Sequence, residues 1–325
     1  MAAKDASGEG TPMQGMPMQG MTGGSHGYGA LLDAVRGLRW PARRAVGAAP
    51  PGTHRSSQRG TAGEFTEYRL YRQGDDPRAL DWKLLGRSDR AFIKLSDDRA
   101  LLTTWIVVDA SASMAFPVEA SAGQSGPRSK WQMARAVATG LAAVVHASSD
   151  PVGLLATGAA GVSRLPPRTR RGTVQEIARM LDGVTGGGVD ELTPYIAALS
   201  PNSRIVCLTD CLGDREALMR TASALAAAGA QFECVHIVAA EELELPGGAH
   251  LVRDPETGSQ ARGESAAQGV VLAARARDDY VRAFTAFREQ VRQEWRAIGA
   301  GYTQIVTTDD PARAVRAVVV GTGSC

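Results

Sequence analysis

Between residue 103 and the end of the chain, short apolar runs recur at a spacing that few architectures allow. They are "TTWIVVD", "VGLLAT", "SRIVCLTD", "FECVHIVA" and "YTQIVT". Each is strand-length and bounded by turn residues, as expected for strands buried on both faces. Helical periods lie between them. "KWQMARAVATGLAAVVHAS" places Trp131, Ala134, Val137, Ala138, Leu141, Val144 and Val145 on one broad apolar face. "TVQEIARMLDGV", "DELTPYIAAL" and "DREALMRTASALAAAGA" read as shorter helices. "ARDDYVRAFTAFREQVRQEWRAIG" spaces Tyr280, Phe284, Phe287, Val291, Trp295 and Ile298 by three and four. "GVSRL" reads as an antiparallel edge partner to the strand before it. Strands alternating with helices predict an α/β fold, a mostly parallel sheet covered by helices on both faces.

At 325 residues the chain is long enough for one or two domains, and with 44% hydrophobic and 22% charged residues most of it should be globular. A net charge of +2 is too small to argue for nucleic acid or a membrane surface. The bases are nearly all arginine; the lysines are Lys4, Lys83, Lys94 and Lys130. Cys207, Cys211, Cys234 and Cys325 are too few and too late in the chain for a disulfide framework, which points to a reducing compartment. Met1 to Thr22 has no apolar core for a signal peptide. The run "AVATGLAAVVHASS" is shorter than the roughly 18 apolar residues of a membrane span. The expectation is a cytoplasmic protein with no membrane span and no nucleic-acid partner.

The organisation before residue 103 is different. Residues 1–29, with "PMQGMPMQGM", read as a Gly/Met-rich flexible tail; Cu(I) binding by Met13, Met16, Met18 and Met21 is the weaker alternative. Its "GGSHG" lacks the flanking strand and helix that a nucleophile elbow needs. Residues 31–59 carry Arg36, Arg39, Arg43, Arg44, Arg55 and Arg59 against Asp33 and read as a solvated helix and loop, with an anionic partner as the alternative. "EFTEYRLYR" and "RAFIKL" read as strands. Between them, in "GDDPRALDWKLLG", Asp76 is placed to cap a short helix, Pro77 to start it and Gly86 to stop it, with Leu80, Leu84 and Trp82 facing inward. Asp75, Arg78 and Asp81 would pair with charges such as Arg72 or Arg90. The stretch therefore reads as a structural clasp, Trp82 packing on the α/β domain. Domains follow as a tail over 1–29, a strand–short helix–strand segment over 30–100 and the α/β domain over 101–325. "LVRDPETGSQ" adds a late hairpin around a "DPETG" turn.

In open parallel sheets, ligands bind at the carboxyl ends of strands, where strand order reverses. Two strand ends carry acids. In "WIVVDASASM", Asp109, Ser111 and Ser113 can turn three oxygens toward one point; in "IVCLTD", Asp210 can add a fourth. Such hard oxygens suit Mg²⁺, or Mn²⁺. The competing reading is that Ser111 and Ser113 only form a turn. No G-x-x-x-x-G-K-[ST] occurs, so no ATP hydrolysis is expected on this chain. Asp109-Ala-Ser111 lacks the second acid of a phosphatase D-x-D. No histidine or lysine base is visible in these loops. Cys207 and Cys211 read as buried thiols and His236 as core.

"DASAS" with "IVCLTD" resembles the von Willebrand factor A fold and its metal-ion-dependent adhesion site. Over about residues 31–320, "GTHRSSQRGTAGEFTEYRLYRQGDDPRALDWKLLGRSDRAFIKL", the "DPETG" hairpin and "TTDDP" resemble the domain of unknown function 58 family. That resemblance implies a von Willebrand factor A-like domain behind the signature segment and pairing with a MoxR-type AAA+ ATPase. It implies metal ligation by Asp109, Ser111, Ser113 and Asp210, with one position open for a partner's carboxylate. The pattern departs in two places. "GGGVDEL" puts Val189 where a threonine is usual, so Asp190 or Thr193 supplies the oxygen, or the site binds metal weakly or is vestigial. Cys211 replaces the usual glycine. The expected function is a non-enzymatic, metal-dependent protein-binding module working with a MoxR-type AAA+ ATPase, the ATPase or its client being the partner, in a chaperone-like or complex-assembly role. The alternatives are a metal-dependent hydrolase and a scaffold with a dead site.

Overall fold

In a computed structural model, the protein is described over residues 28–44, 51–60, 64–73, 75, 77–88, 90–117, 128–187, 192–244, 251–252, 270–271 and 274–321. The chain opens with α1 (Gly29–Ala34), β1 (Pro51–Gly60), β2 (Glu64–Leu70), α2 (Trp82–Ser88) and β3 (Phe92–Ala100). Then come β4 (Thr103–Val108), α3 (Lys130–Ala147), β5 (Val152–Gly158), β6 (Gly161–Arg168), α4 (Thr173–Gly183), α5 (Thr193–Ala197), β7 (Ser203–Thr209), α6 (Arg215–Ala227) and β8 (Gln231–Val238). The last elements are α7 (Ala240–Leu243), β9 (Leu251–Val252), β10 (Val270–Val271), α8 (Ala274–Ala297), β11 (Gly301–Val306) and α9 (Pro311–Gly321).

The main sheet has six strands in the order β11-β8-β7-β4-β5-β6. All neighbours are parallel except β6, which runs antiparallel to β5 at the edge. The α/β class and the edge role of "GVSRL" are as expected. Counting from β4, this is the doubly wound order 3-2-1-4-5-6, whose reversal lies between β4 and β7. Successive side chains of a strand point to opposite faces, and the two cores divide accordingly. Ile106, Val108, Leu154, Val206 and Ile237 join α3, α4 and α9 on one side. Trp105, Val107, Leu155, Ile205 and Phe232 join α5, α6 and α8 on the other. Each fully buried aliphatic or aromatic side chain of these layers contributes about 1.5–3 kcal/mol. Helix α9, which the sequence reading does not single out, supplies Val315, Val318 and Val319 to the first side.

The signature segment forms a three-stranded antiparallel sheet, β1-β3-β2. The expected strand, short helix and strand are present, and β1 was not expected. Asp76 lies outside the described residues, but Asp81 caps α2, its Oδ1 accepting the backbone N–H of Lys83 and of Leu84 at 3.0 Å each. Asp75 accepts from Arg69 Nη2 at 2.8 Å and from the Arg72 backbone N–H at 2.7 Å. Three expectations fail. Pro77 does not start the helix but opens a separate 3₁₀ turn, Pro77–Ala79, and α2 begins only at Trp82. Gly86 sits inside α2, which continues to Ser88. Trp82 is 68% exposed and does not pack inward, because half-buried Leu84 and Leu85 take the inward side of the helix. The "DPETG" turn lies outside the described residues, although β9 and β10 do pair as a hairpin would. The Met-rich stretch does too.

The arginine-rich segment is less solvated than its charge predicts. Val35 and Trp40 are buried in the first core. The Arg204 guanidinium lies 4.3 Å from the Trp40 ring centroid and donates to the Trp40 and Pro41 carbonyls at 3.2 and 2.6 Å. Arg43 reaches Glu233 Oε1 at 3.0 Å. The Ala42 N–H donates to His54 Nδ1 at 3.2 Å, which leaves Nε2 to donate to Asp150 Oδ2 at 2.6 Å. Asp150 also accepts the Leu102 N–H at 3.0 Å. These contacts all lie at the amino ends of β4, β5, β7 and β8, opposite Asp109 and Asp210.

Burial drives the Glu233 carboxyl up to about 7, against the pull of Arg43 and Arg204. A folded-state value above the ordinary 4.5 means the folded protein holds its proton longer than the unfolded chain. The stability this gives is present below the ordinary value and is lost as pH rises through about 7. Glu233→Gln is therefore expected to flatten the fall in melting temperature across that window, measured as the difference from wild type. A second expectation concerns the two tryptophans. Trp40→Ala should cost about 3–5 kcal/mol in chemical denaturation, and Trp82→Ala should stay within about 0.5 kcal/mol of wild type.

Candidate functional site

The strand order reverses between β4 and β7, and the residues that leave those two strands are Asp109 and Asp210. The Asp109 N–H still pairs with the Leu208 carbonyl at 2.9 Å, so the loop departs directly from the sheet. It then folds back on itself. Asp109 Oδ1 accepts the Ser111 N–H at 2.9 Å, Oδ2 accepts the Thr209 hydroxyl at 2.8 Å, and the Ser111 and Ser113 hydroxyls lie 3.1 Å apart. A further loop arrives beside them, the Gly187 N–H donating to the Ala110 carbonyl at 2.9 Å. Val189 and Asp190 lie outside the described residues, and Thr193 opens α5.

The four residues singled out from the sequence thus sit on the two loops that flank the switch point. Burial, and then the charge of Asp210, raise the Asp109 carboxyl above its ordinary range, with the Ser111 N–H and the Thr209 hydroxyl pulling the other way. Asp210 is buried and Asp109 partly so, and hard oxygen donors of this kind fit a hard divalent ion. Among the described residues no three His, Cys, Asp or Glu side chains gather as ligands; the donors here are two carboxylates and two hydroxyls.

One cation is already present. Lys130, the first residue of α3, is 1% exposed, and its Nζ lies 2.8 Å from both Asp210 Oδ2 and Glu242 Oε1. Burial alone would lower its pKa; Asp210 and Glu242 together outweigh that and raise it, so the ammonium stays charged. Lys130 reaches the acids from the start of α3, outside the loops in which no lysine base was expected. The reason is local. Ser129 and Gln132 form a capping box, Gln132 N–H to Ser129 Oγ at 3.2 Å and Ser129 N–H to Gln132 Oε1 at 3.1 Å. The box starts the helix one residue before Lys130 and aims its stem along the sheet end. Glu242 is fixed in turn, its Oε2 accepting the Ala239 N–H at 2.8 Å. Of these, only the "SKWQ" box carries a signal in the sequence.

Beneath Asp210, His236 is held neutral. Burial drives it down to about 4, its Nδ1 accepts the Tyr302 hydroxyl at 2.7 Å, and it bonds to the Asp210 backbone. The expectation that His236 is core holds, as does that of buried thiols at Cys207 and Cys211. Cys211 has φ of 60°, the left-handed region where glycine is usual. Next to it, a groove of about 780 Å³ runs past exposed Leu212 between α6 and α8, with Met219, Phe287 and Glu294 in its walls.

Residues 67–290 match the family described as "Protein of unknown function DUF58". The chain belongs to this family. It is 27% identical over 288 residues to an uncharacterized protein of Mycobacterium tuberculosis and equally to one of Mycobacterium bovis, covering 86% of this chain and 86% of each of them. Among solved structures it is similar to the conserved hypothetical protein BatB from Bacteroides thetaiotaomicron, with a TM-score of 0.41 and 15% identity over 69% of this chain and 100% of that one. It is also similar to the SpRpn10 VWA domain, with a TM-score of 0.38 and 12% identity over 70% of this chain and 100% of that one.

The left-handed backbone at Cys211 tests how tightly the Asp210 loop is set. Left-handed φ disfavours any residue with a Cβ by about 1–2 kcal/mol. Cys211→Gly should therefore be about 1 kcal/mol more stable than Cys211→Ala in urea denaturation, although both lose the thiol. Equal stabilities would mean that the loop relaxes out of that conformation.

Proposed function

We propose that this chain is a non-enzymatic protein-binding module whose recognition centre is the pair of loops after β4 and β7. In this reading Asp109, Ser111, Ser113 and Asp210 hold Mg²⁺ or Mn²⁺, and the ion takes a carboxylate from the partner. The observation that supports it is that two strand-end acids and two adjacent hydroxyls lie on the loops flanking the switch point, with Asp109 raised by burial and by the charge of Asp210. The partner is a MoxR-type AAA+ ATPase or its client, as the family resemblance implies, in a chaperone-like or assembly role, and the few, late cysteines point to the cytoplasm. No helix among the described residues is long and apolar enough to cross a membrane.

The hydrolase alternative gains nothing from the groups at the site. Lys130 is held cationic between two carboxylates and accepts no proton. The ring of His236 is occupied by Tyr302 and the Asp210 backbone.

Calorimetric titration of the full chain with Mg²⁺ and Mn²⁺ tests the ion. Binding at millimolar ion or below is expected for wild type and its loss for Asp109→Ala, with the variant's circular dichroism unchanged. Absence of any binding to wild type would remove the ion from this reading. Capture of a purified MoxR-type ATPase should weaken at least about tenfold in EDTA, a loss of about 1.4 kcal/mol. Capture that ignores EDTA would leave the metal without a part in recognition.

A further inference from the structure

We propose that Lys130 is a tethered resident cation of the Asp109–Asp210 site, and that a divalent ion binds there only by displacing the ammonium from Asp210 onto Glu242. This rests on the metal reading above and adds a competitor built into the chain.

Position 130 is an unfavourable place for a lysine. It is the first residue of a long helix, where the exposed N–H groups favour negative charge. It is also buried, where an ammonium loses its hydration. A lysine tolerated there needs strong local compensation, and the two carboxylates at 2.8 Å supply it. Its partners are of different kinds. Asp210 is a candidate ligand of the ion. Glu242 belongs to α7, beyond β8, and is set in place by the Ala239 N–H independently of the site. The ammonium therefore has one anchor on the site and one off it, 2.8 Å from each, so that a small swing of its flexible stem releases Asp210 while keeping Glu242.

The charge balance points the same way. Asp109, Asp210 and Glu242 set three carboxyl groups against this one ammonium. While Lys130 rests on Asp210, a divalent ion entering beside that carboxylate meets a positive charge within a few ångströms in a poorly hydrated site, where like charges repel strongly. Moved to Glu242, the ammonium leaves Asp210 free and stays neutralised. A purely structural ion pair would make every change at Lys130 destabilising whatever ion is present. A resident cation predicts a gain in metal affinity once the ammonium is gone.

The test is calorimetric titration of the full chain with Mn²⁺, together with melting curves in EDTA and in Mn²⁺. Lys130→Met is expected to bind Mn²⁺ about tenfold or more tighter than wild type. It should melt below wild type in EDTA and regain more of its melting temperature from Mn²⁺ than wild type does. Lys130→Arg keeps the charge and should show no such gain. Glu242→Gln removes the second anchor, leaves the ammonium on Asp210 alone, and should bind Mn²⁺ more weakly than wild type. If wild type binds Mn²⁺ and Lys130→Met binds it no better, the resident-cation proposal is overturned while the metal reading stands. If neither wild type nor Lys130→Met binds Mn²⁺, the metal reading falls and this proposal with it. Should Lys130→Met fail to fold, Glu242→Gln decides: Mn²⁺ affinity equal to or above wild type overturns the proposal.

Discussion

The Lys130 ammonium joins three stretches that are far apart in the chain: the start of α3, the end of β7 through Asp210, and α7 through Glu242. Breaking a buried ion pair by removing one member is strongly destabilising, about 3–5 kcal/mol, because the other charge stays buried. The upper end of the sheet is therefore held by polar contacts. The body is held by apolar ones, with each central strand sending alternate side chains into two separate cores. Helix α3 links the regimes. Its first residue reaches the acids, and Met133, Val137, Leu141 and Val144 behind it are buried against the sheet. Whatever shifts the acid pair is thereby passed to a helix that spans one face.

How much of this was legible in the sequence follows from where each signal resides. The strands β4, β5, β7, β8 and β11 were legible because burial on both faces leaves an uninterrupted apolar run. Strand β1 was not, because "GTHRSSQRG" is polar, and what pairs it with β3 is an antiparallel partner some 40 residues on. Trp82 misled for a related reason. A tryptophan in a short capped helix looks like an anchor, but in α2 the inward side is taken by Leu84 and Leu85. Trp40 does the anchoring instead, and Arg204, which stacks on its ring, is 164 positions away in the chain.

The site divides in the same way. Asp109, Ser111, Ser113 and Asp210 were legible because strand-to-loop transitions put them at strand ends, which is a local property. Lys130, Glu242, Thr209 and His236 owe their parts to tertiary approach. Nothing in "SKWQ" says that the lysine stem will run toward the end of β7. Nothing in "FECVHIVA" says that His236 will stand under Asp210 as a neutral strut beneath Tyr302. Cys211 was legible as a departure from the usual glycine, but the sequence did not show that it would keep the glycine conformation, with φ of 60°.

The two ends of the sheet use different cations, and the difference is physical. At the amino ends, Arg204 and Arg43 spread planar guanidinium groups over a ring, two carbonyls and a carboxylate. Such a fork gains by touching several fixed groups at once and loses all of them if it moves. That suits a permanent clamp on the N-terminal segment. At the carboxyl ends, in a chain whose bases are nearly all arginine, the buried cation is a lysine. An ammonium is a compact point charge on a flexible stem and can trade one carboxylate for another without re-aiming a plane. The fixed end therefore carries the residue that binds by shape, and the end with open loops, an exposed Leu212 and a neighbouring groove carries the residue that can change partners. The permanent clamp and the proposed exchange site are in this way separated along the strand axis, so that exchange at one end would leave the clamp at the other undisturbed.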